Sequence, residues 1–181
     1  MHSLWLATLI SAVLVFVTSS LVHMVLPWHK NDFPRLANED AVMDALRPLR
    51  LAKGDYLVPR PATRQELNSP AFIEKRQRGP VVVFTVMGEI SMGRNLGLWF
   101  VYLLVVIGLS ALAAGVALPP GADSHRVFHL IALTSFLGFA LALWQNSIWW
   151  SRSWVTTLKS TVDGLIYALI TAGVFVWLWP R

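Results

Sequence analysis

Four runs of apolar residues, at 4–26, 96–118, 127–150 and 161–179, dominate this chain. At ~1.5 Å of rise per residue, each is long enough to cross a ~30 Å hydrocarbon layer as a helix. Asp163 is the one formally charged side chain inside them, and His23 and His129 are the only histidines there. A water-facing helical fold would instead carry charged residues every three or four positions along an exposed stripe. With 55% hydrophobic and only 14% charged residues, the apolar side chains must face lipid. The fold class expected is an all-α membrane protein: a four-transmembrane-helix bundle with a small cytoplasmic α+β insertion between helices 1 and 2.

That insertion, residues 29–95, holds most of the charge. Asn38 is a good N-cap, Glu39, Asp40 and Asp44 lie toward the positive end of a helix dipole, and Pro48 ends the element. The expectation is a helix over 39–47 with Val42 and Leu46 on a buried face. Ser69 followed by Pro70 signals a second helix, 70–77, closed by Gly79-Pro80. VVVFTV at 81–86 is β-branched and too short to span a bilayer, so it needs a partner strand. The segment at 55–58, DYLV, is the best candidate. Residues 88–97 read as a glycine-punctuated connector.

Eleven of the 15 Lys and Arg residues fall between Lys30 and Arg94. Counting by alternate sides puts thirteen on one face and two on the other, which favours both termini outside and 29–95 in the cytoplasm. Tryptophan agrees. Trp5 and Trp28 bracket the first span, Trp99 opens the second, Trp149, Trp150 and Trp154 mark the turn between the third and fourth, and Trp177 and Trp179 close the last. Indole prefers the interface because an apolar ring carries an N–H that needs a partner. A cleavable signal peptide is disfavoured by the uncharged, overlong first run. The net charge of +5 is explained by this topology, so no nucleic-acid partner is expected. The absence of cysteine excludes disulfide, zinc–thiolate and iron–sulfur chemistry.

Lipid gives apolar helices no hydrophobic reward for associating, so small residues must let backbones approach closely. Gly164, Ala168 and Ala172 lie four apart in the last span, Ser110/Ala114 and Ala111/Gly115 in the second, and Gly138/Ala142 in the third. The short turn at 151–153 makes the last two spans an antiparallel hairpin. The fourth helix is expected to begin at Trp154, with 161–179 in the membrane and Lys159 one turn from Asp163.

Two groups of residues invite chemistry. Asp163 is expensive in a membrane helix, on the order of 2.5–3.5 kcal/mol at the centre, and such residues are functional candidates. A pairing with Lys159, or capping by Gln145 and Asn146, would also satisfy it without any function. The second group is PWHKNDF at 27–33, where His29, Lys30, Asp32 and the nearby Arg35 are expected to meet anionic lipid headgroups. No cofactor or metal is expected. His23 and His129 sit about a leaflet apart, and His125 with His129 lacks a convincing third ligand.

The stretches MVLPWHKNDFPRLANEDAVMDALR (24–47), GDYLVPR (54–60), LGLWF (96–100), NSIWW (146–150) and DGLIYALITAG (163–173) resemble a group of small, uncharacterised bacterial inner-membrane proteins with four transmembrane helices. The resemblance implies a bacterial inner-membrane location and brings no activity or site with it. The leading expectation is a non-enzymatic accessory or self-associating membrane protein, with the lipid bilayer, a second copy or another membrane protein as partner. One alternative is a small oligomeric transporter or channel using Asp163, Asn146 and Gln145. Another is a membrane-embedded enzyme acting on lipid through the PWHKNDF cluster.

Overall fold

The computed structural model describes residues 4–180. The chain divides into two units, one running to Pro34 and resuming at Met92, the other Arg35–Ser91.

Among the described residues, the first unit contains four helices long and apolar enough to cross a membrane. Helix α1, Leu4–Ser20, continues through a π-helical turn, Leu21–Val25, and stops where Leu26 turns extended ahead of Pro27. The residue before a proline is pushed out of the helical region by contact with the ring. A 3-10 turn, Pro27–His29, follows. Later in the chain come α5 (Met92–Ala117), α6 (Ser124–Phe139), α7 (Trp144–Trp150) and α8 (Trp154–Leu178).

Helix α8 packs on α6 and α1, and α5 packs on α1 and α6, so the four long elements close a ring in the order α1, α5, α6, α8. Ala7, Leu103, Ile107, Val127, Ile131 and Phe175 fill its middle, each fully buried. Of the small residues expected at interfaces, Ala168, Ala172, Ser110, Ala111 and Ala114 are buried, and Gly164 lies against Ala140 and Phe139 of the α6 end. Gly138 abuts Val106 of α5, whereas Ala142 is exposed.

The third span is not one helix over 127–150. It begins at Ser124, capped by Asp123, breaks at Ala140 (φ −125°, ψ −49°) and resumes after a 3-10 turn, Leu141–Leu143. Interrupting the ladder frees carbonyls, and the Tyr102 hydroxyl donates to the Gly138 carbonyl at 2.7 Å. A side chain from a neighbouring helix entering the ladder is a recognised cause of such breaks. Trp144 then donates to Thr161 (3.0 Å), and the Ser147 and Thr157 hydroxyls share a hydrogen bond (2.7 Å), joining α7 to α8.

The second unit holds α2 (Glu39–Leu46), α3 (Arg64–Leu67) and α4 (Pro70–Arg78) with strands β1 (Gly54–Val58) and β2 (Val82–Val86). The strands pair antiparallel, Gly54 opposite Val86 and Val58 opposite Val82. Tyr56 and Phe84 stack across them at 5.4 Å, a direct cross-strand pair of the kind that stabilises sheets. Asn38 and Ser69 cap α2 and α4 as their side-chain chemistry dictates. The face of α2 differs from expectation: Val42 and Leu46 are 43% and 37% exposed. Helix α3 was not anticipated, although Thr63-x-x-Glu66 is its signature. Thr63 Oγ1 accepts from the Glu66 N–H, and Glu66 reaches back to the Ala62 N–H.

Candidate functional site

Three charged residues of the first unit, Asp32, Lys159 and Asp163, meet His29 where the chain leaves α1. In the π-helical turn, His23 Nδ1 lies 3.0 Å from the Ser19 carbonyl. A carbonyl only accepts, so Nδ1 carries the proton and the Nε2 lone pair is left available. The extended Leu26 and the 3-10 turn then bring Trp28, His29 and Asp32 against α8. There Lys159 and Asp163, four residues apart, share one face.

His29 is the centre. Its Nδ1 meets Asp32 Oδ2 at 2.7 Å, and its Nε2 meets Asp163 Oδ2 at 2.8 Å. With both carboxylates ionised, each ring nitrogen carries a proton and donates it. The other carboxylate oxygens are also held: Trp28 Nε1 donates to Asp163 Oδ1 (3.1 Å), and Lys159 Nζ donates to Asp32 Oδ1 (2.9 Å). Lys159 Nζ lies 5.7 Å from the centre of the Trp28 ring. Two carboxylates thus face an imidazole and an ammonium group.

Burial makes this balance consequential. The side chains of Asp163 and Asp32 are 4% and 8% exposed, and those of His29 and Lys159 are 12% and 20% exposed. Burial pushes the Asp32 carboxyl upward, but the hydrogen bonds and positive charge of His29 and Lys159 outweigh it and hold the group below the ordinary aspartate range. His23 is exposed and stacks on His29 with centroids 4.3 Å apart and planes 11° from parallel. On the inner side, Tyr167 lies one turn beyond Asp163. Its hydroxyl is buried with no hydrogen-bond partner among the described residues.

Several assignments made from sequence change here. Asp163 does not pair with Lys159; it takes Trp28 and His29, while Lys159 takes Asp32. Gln145 is exposed, and the Asn146 carbonyl closes the end of α7 by accepting from the Arg152 N–H. The side chains from that stretch that bond α8 are Trp144 and Ser147 instead. Of the headgroup cluster, Lys30 is exposed, whereas His29 turns onto Asp163 and Asp32 onto Lys159 of α8. The backbone that places them is the 3-10 turn Pro27–His29 and the turn after it, in which the Asp32 N–H donates to the His29 carbonyl at 3.1 Å. Arg35 belongs to the other unit, 3.6 Å from Glu39. His125 and His129 are near neighbours with centroids 6.5 Å apart, while Asp123 is occupied capping α6.

Two members of the site carry no local sign of belonging to it. Trp28 reads as a membrane-edge residue and His23 as an isolated span histidine. Their spacing before His29, one and six residues, would have assembled the group only if the π-helical turn and the break at Leu26 had been known.

His23, His29 and Asp163 each place one potential ligand atom within 4.8 Å of the others. Comparison of the chain with protein-family models, with curated proteins and with solved structures gives no match. The functional reading therefore rests on the site.

Proposed function

We propose that this is a multi-pass membrane protein of the transporter or channel class that moves a cation across the bilayer, with His29, Asp32, Lys159 and Asp163 as its binding station. The observation that carries the reading is the His29 imidazole held between two buried carboxylates, one of them on α8, beside four helices long and apolar enough to cross a membrane. Holding helices together does not require this. Replacing a buried ion network by apolar packing is often neutral or stabilising by about 1–4 kcal/mol, and ionisable groups within membrane spans mark ion pathways. The exposed His23 beside the station and the Tyr167 hydroxyl further inside, buried without a hydrogen-bond partner among the described residues, are consistent with a path rather than a closed clamp. For that reason ion handling displaces the accessory role as the leading reading.

The location proposed is a bacterial inner membrane, as the sequence resemblance implies, with both termini outside and residues 29–95 in the cytoplasm. The excess of Lys and Arg on that segment supports this orientation, and the station would then lie at the cytoplasmic end of the bundle. Because the chain has no cysteine, Arg64→Cys and Ala122→Cys offer clean reporters. An impermeant maleimide applied to intact cells is expected to label position 122 and spare position 64; labelling at 64 overturns the orientation.

Transport itself is tested in liposomes loaded with indicator dyes, with gradients of H+, Na+, K+ and Zn2+ imposed one at a time. Wild-type protein is expected to dissipate at least one gradient, and Asp163→Asn and His29→Gln, both reconstituted as monodisperse protein, are expected to lose that flux. Wild-type flux at the empty-liposome level for all four ions removes the proposal.

A further inference from the structure

We infer that His23, His29 and Asp163 form a site for one divalent transition-metal cation of the Zn2+ class, with Ser19, Asp32 and Trp28 holding the three ligands in place. The inference rests on the reading of this cluster as a cation-binding station and names the ion it takes.

The argument begins with what each ligand does with its other polar atom. His23 is tied through Nδ1 to the Ser19 carbonyl at 3.0 Å, His29 through Nδ1 to Asp32 at 2.7 Å, and Asp163 through Oδ1 to Trp28 Nε1 at 3.1 Å. Metal-binding histidines almost always donate the second ring N–H to a carboxylate or a backbone carbonyl, and ligating carboxylates are hydrogen-bonded in turn. All three candidate ligands here have that support. The atoms left over are His23 Nε2, His29 Nε2 and Asp163 Oδ2.

Distances suit a small adjustment. One ligand atom of each residue already lies within 4.8 Å of the others, whereas two ligands of a tetrahedral ion at ~2.0–2.1 Å from each would be about 3.3 Å apart. His29 Nε2 and Asp163 Oδ2, at 2.8 Å, must open slightly as the ion takes the place of the proton between them. His23 must swing inward from its stacked position. It is the exposed member of the three and the one with room to move.

The donor set selects the ion. Two imidazole nitrogens and one carboxylate oxygen suit Zn2+ and its first-row neighbours, while Mg2+ and Ca2+ demand oxygen ligands in greater number. Three protein ligands also leave the fourth tetrahedral position open to water. Asp32 and Lys159 remain paired beside the site, and Asp32 is a positioning residue because it acts through His29.

Calorimetric titration of Zn2+ into the full chain in detergent, prepared without a polyhistidine tag, decides the matter. The expected result is one Zn2+ per chain, no heat from Mg2+ at the same concentration, and an affinity reduced about 10–100-fold by Asp32→Asn, the range for loss of a supporting partner. His23→Ala, at an exposed position, is expected to weaken binding at least as much without altering the circular dichroism. A His125→Ala/His129→Ala variant is expected to bind as wild type does. The inference is overturned if wild-type protein takes up no Zn2+, if His23→Ala binds unchanged, or if binding disappears with His125 and His129. Stoichiometric binding without liposome flux would leave this site standing and remove transport; flux of another ion without Zn2+ binding would do the reverse.

Discussion

Asp163→Ala is expected to destabilise the detergent-solubilised protein by about 3–5 kcal/mol, the usual penalty for removing one partner of a buried ion pair. The carboxylate accepts from both His29 Nε2 and Trp28 Nε1, and its loss leaves both donors without that partner. It also leaves His29 and Lys159 sharing a single anion, Asp32. Unfolding followed by circular dichroism in a denaturing detergent titration measures the change. Asp163→Asn should cost less, because the amide oxygen can still accept from one of the two donors. The Asp32 and Lys159 pair supplies a check on the coupling. A double-mutant cycle with Asp32→Asn and Lys159→Met should return an interaction energy within the range of about 0.5–3 kcal/mol seen for residues in one network. If Asp163→Ala costs less than about 1 kcal/mol, the value of an exposed ion pair, the cluster is solvated and not a buried network.

The second large effect lies one residue further along. A Cβ at Gly164 would sit 2.8 Å from the Ala140 Cβ and 3.3 Å from the Phe139 Cβ. Both belong to the main-chain skirt of the α6 end, so no flexible side chain can yield. Gly164→Ala is expected to cost about 1–3 kcal/mol, the range for overpacking, and Gly164→Val more, with α6 and α8 forced apart. Gly138→Ala provides a parallel comparison. Its Cβ would meet Val106 Cγ1 at 2.7 Å, with Cγ2 and Cβ at 3.5 and 3.6 Å, and a buried β-branched side chain is stiff at χ1, so a comparable loss is expected. Gly173 has nothing within 4 Å of the corresponding position, and Gly173→Ala should be neutral or better, since alanine is the stronger helix former. Equal losses at positions 164 and 173 would show that close approach of α8 to α6 is not what glycine provides. The same contact bears on the site, because separating the two helices would move Asp163 away from Trp28 and His29.

Much of the architecture could be read directly from the residues. The four apolar runs, the charge segregated into 29–95, the caps at Asn38 and Ser69 and the pairing of DYLV with the valine-rich strand all depend on local properties: hydropathy, side-chain hydrogen bonding and backbone preference. Asp163 was visible for the same reason, as an anion among apolar neighbours. Local reading went astray where neighbours in space outweighed neighbours in sequence. Lys159 is one turn from Asp163, and helical spacing suggests a pair. The anion that captures Lys159 is nonetheless Asp32, 127 residues earlier in the chain.

The amino-acid sequence by itself determined that this chain has four long apolar helices, a charged segment between the first two, and one carboxylate among the apolar runs that must find partners. Those features follow from the cost of exposing apolar surface to water or a charge to lipid, and that cost is the same whatever the tertiary arrangement. Which partners Asp163 finds was decided only by the tertiary structure. The ring order sets α1 beside α8, and the π-helical turn and the break at Leu26 swing Trp28, His29 and Asp32 onto the face carrying Lys159 and Asp163. Direction at a chain break depends on a few backbone angles and on what lies nearby, and neither is written in the periodicity of the residues.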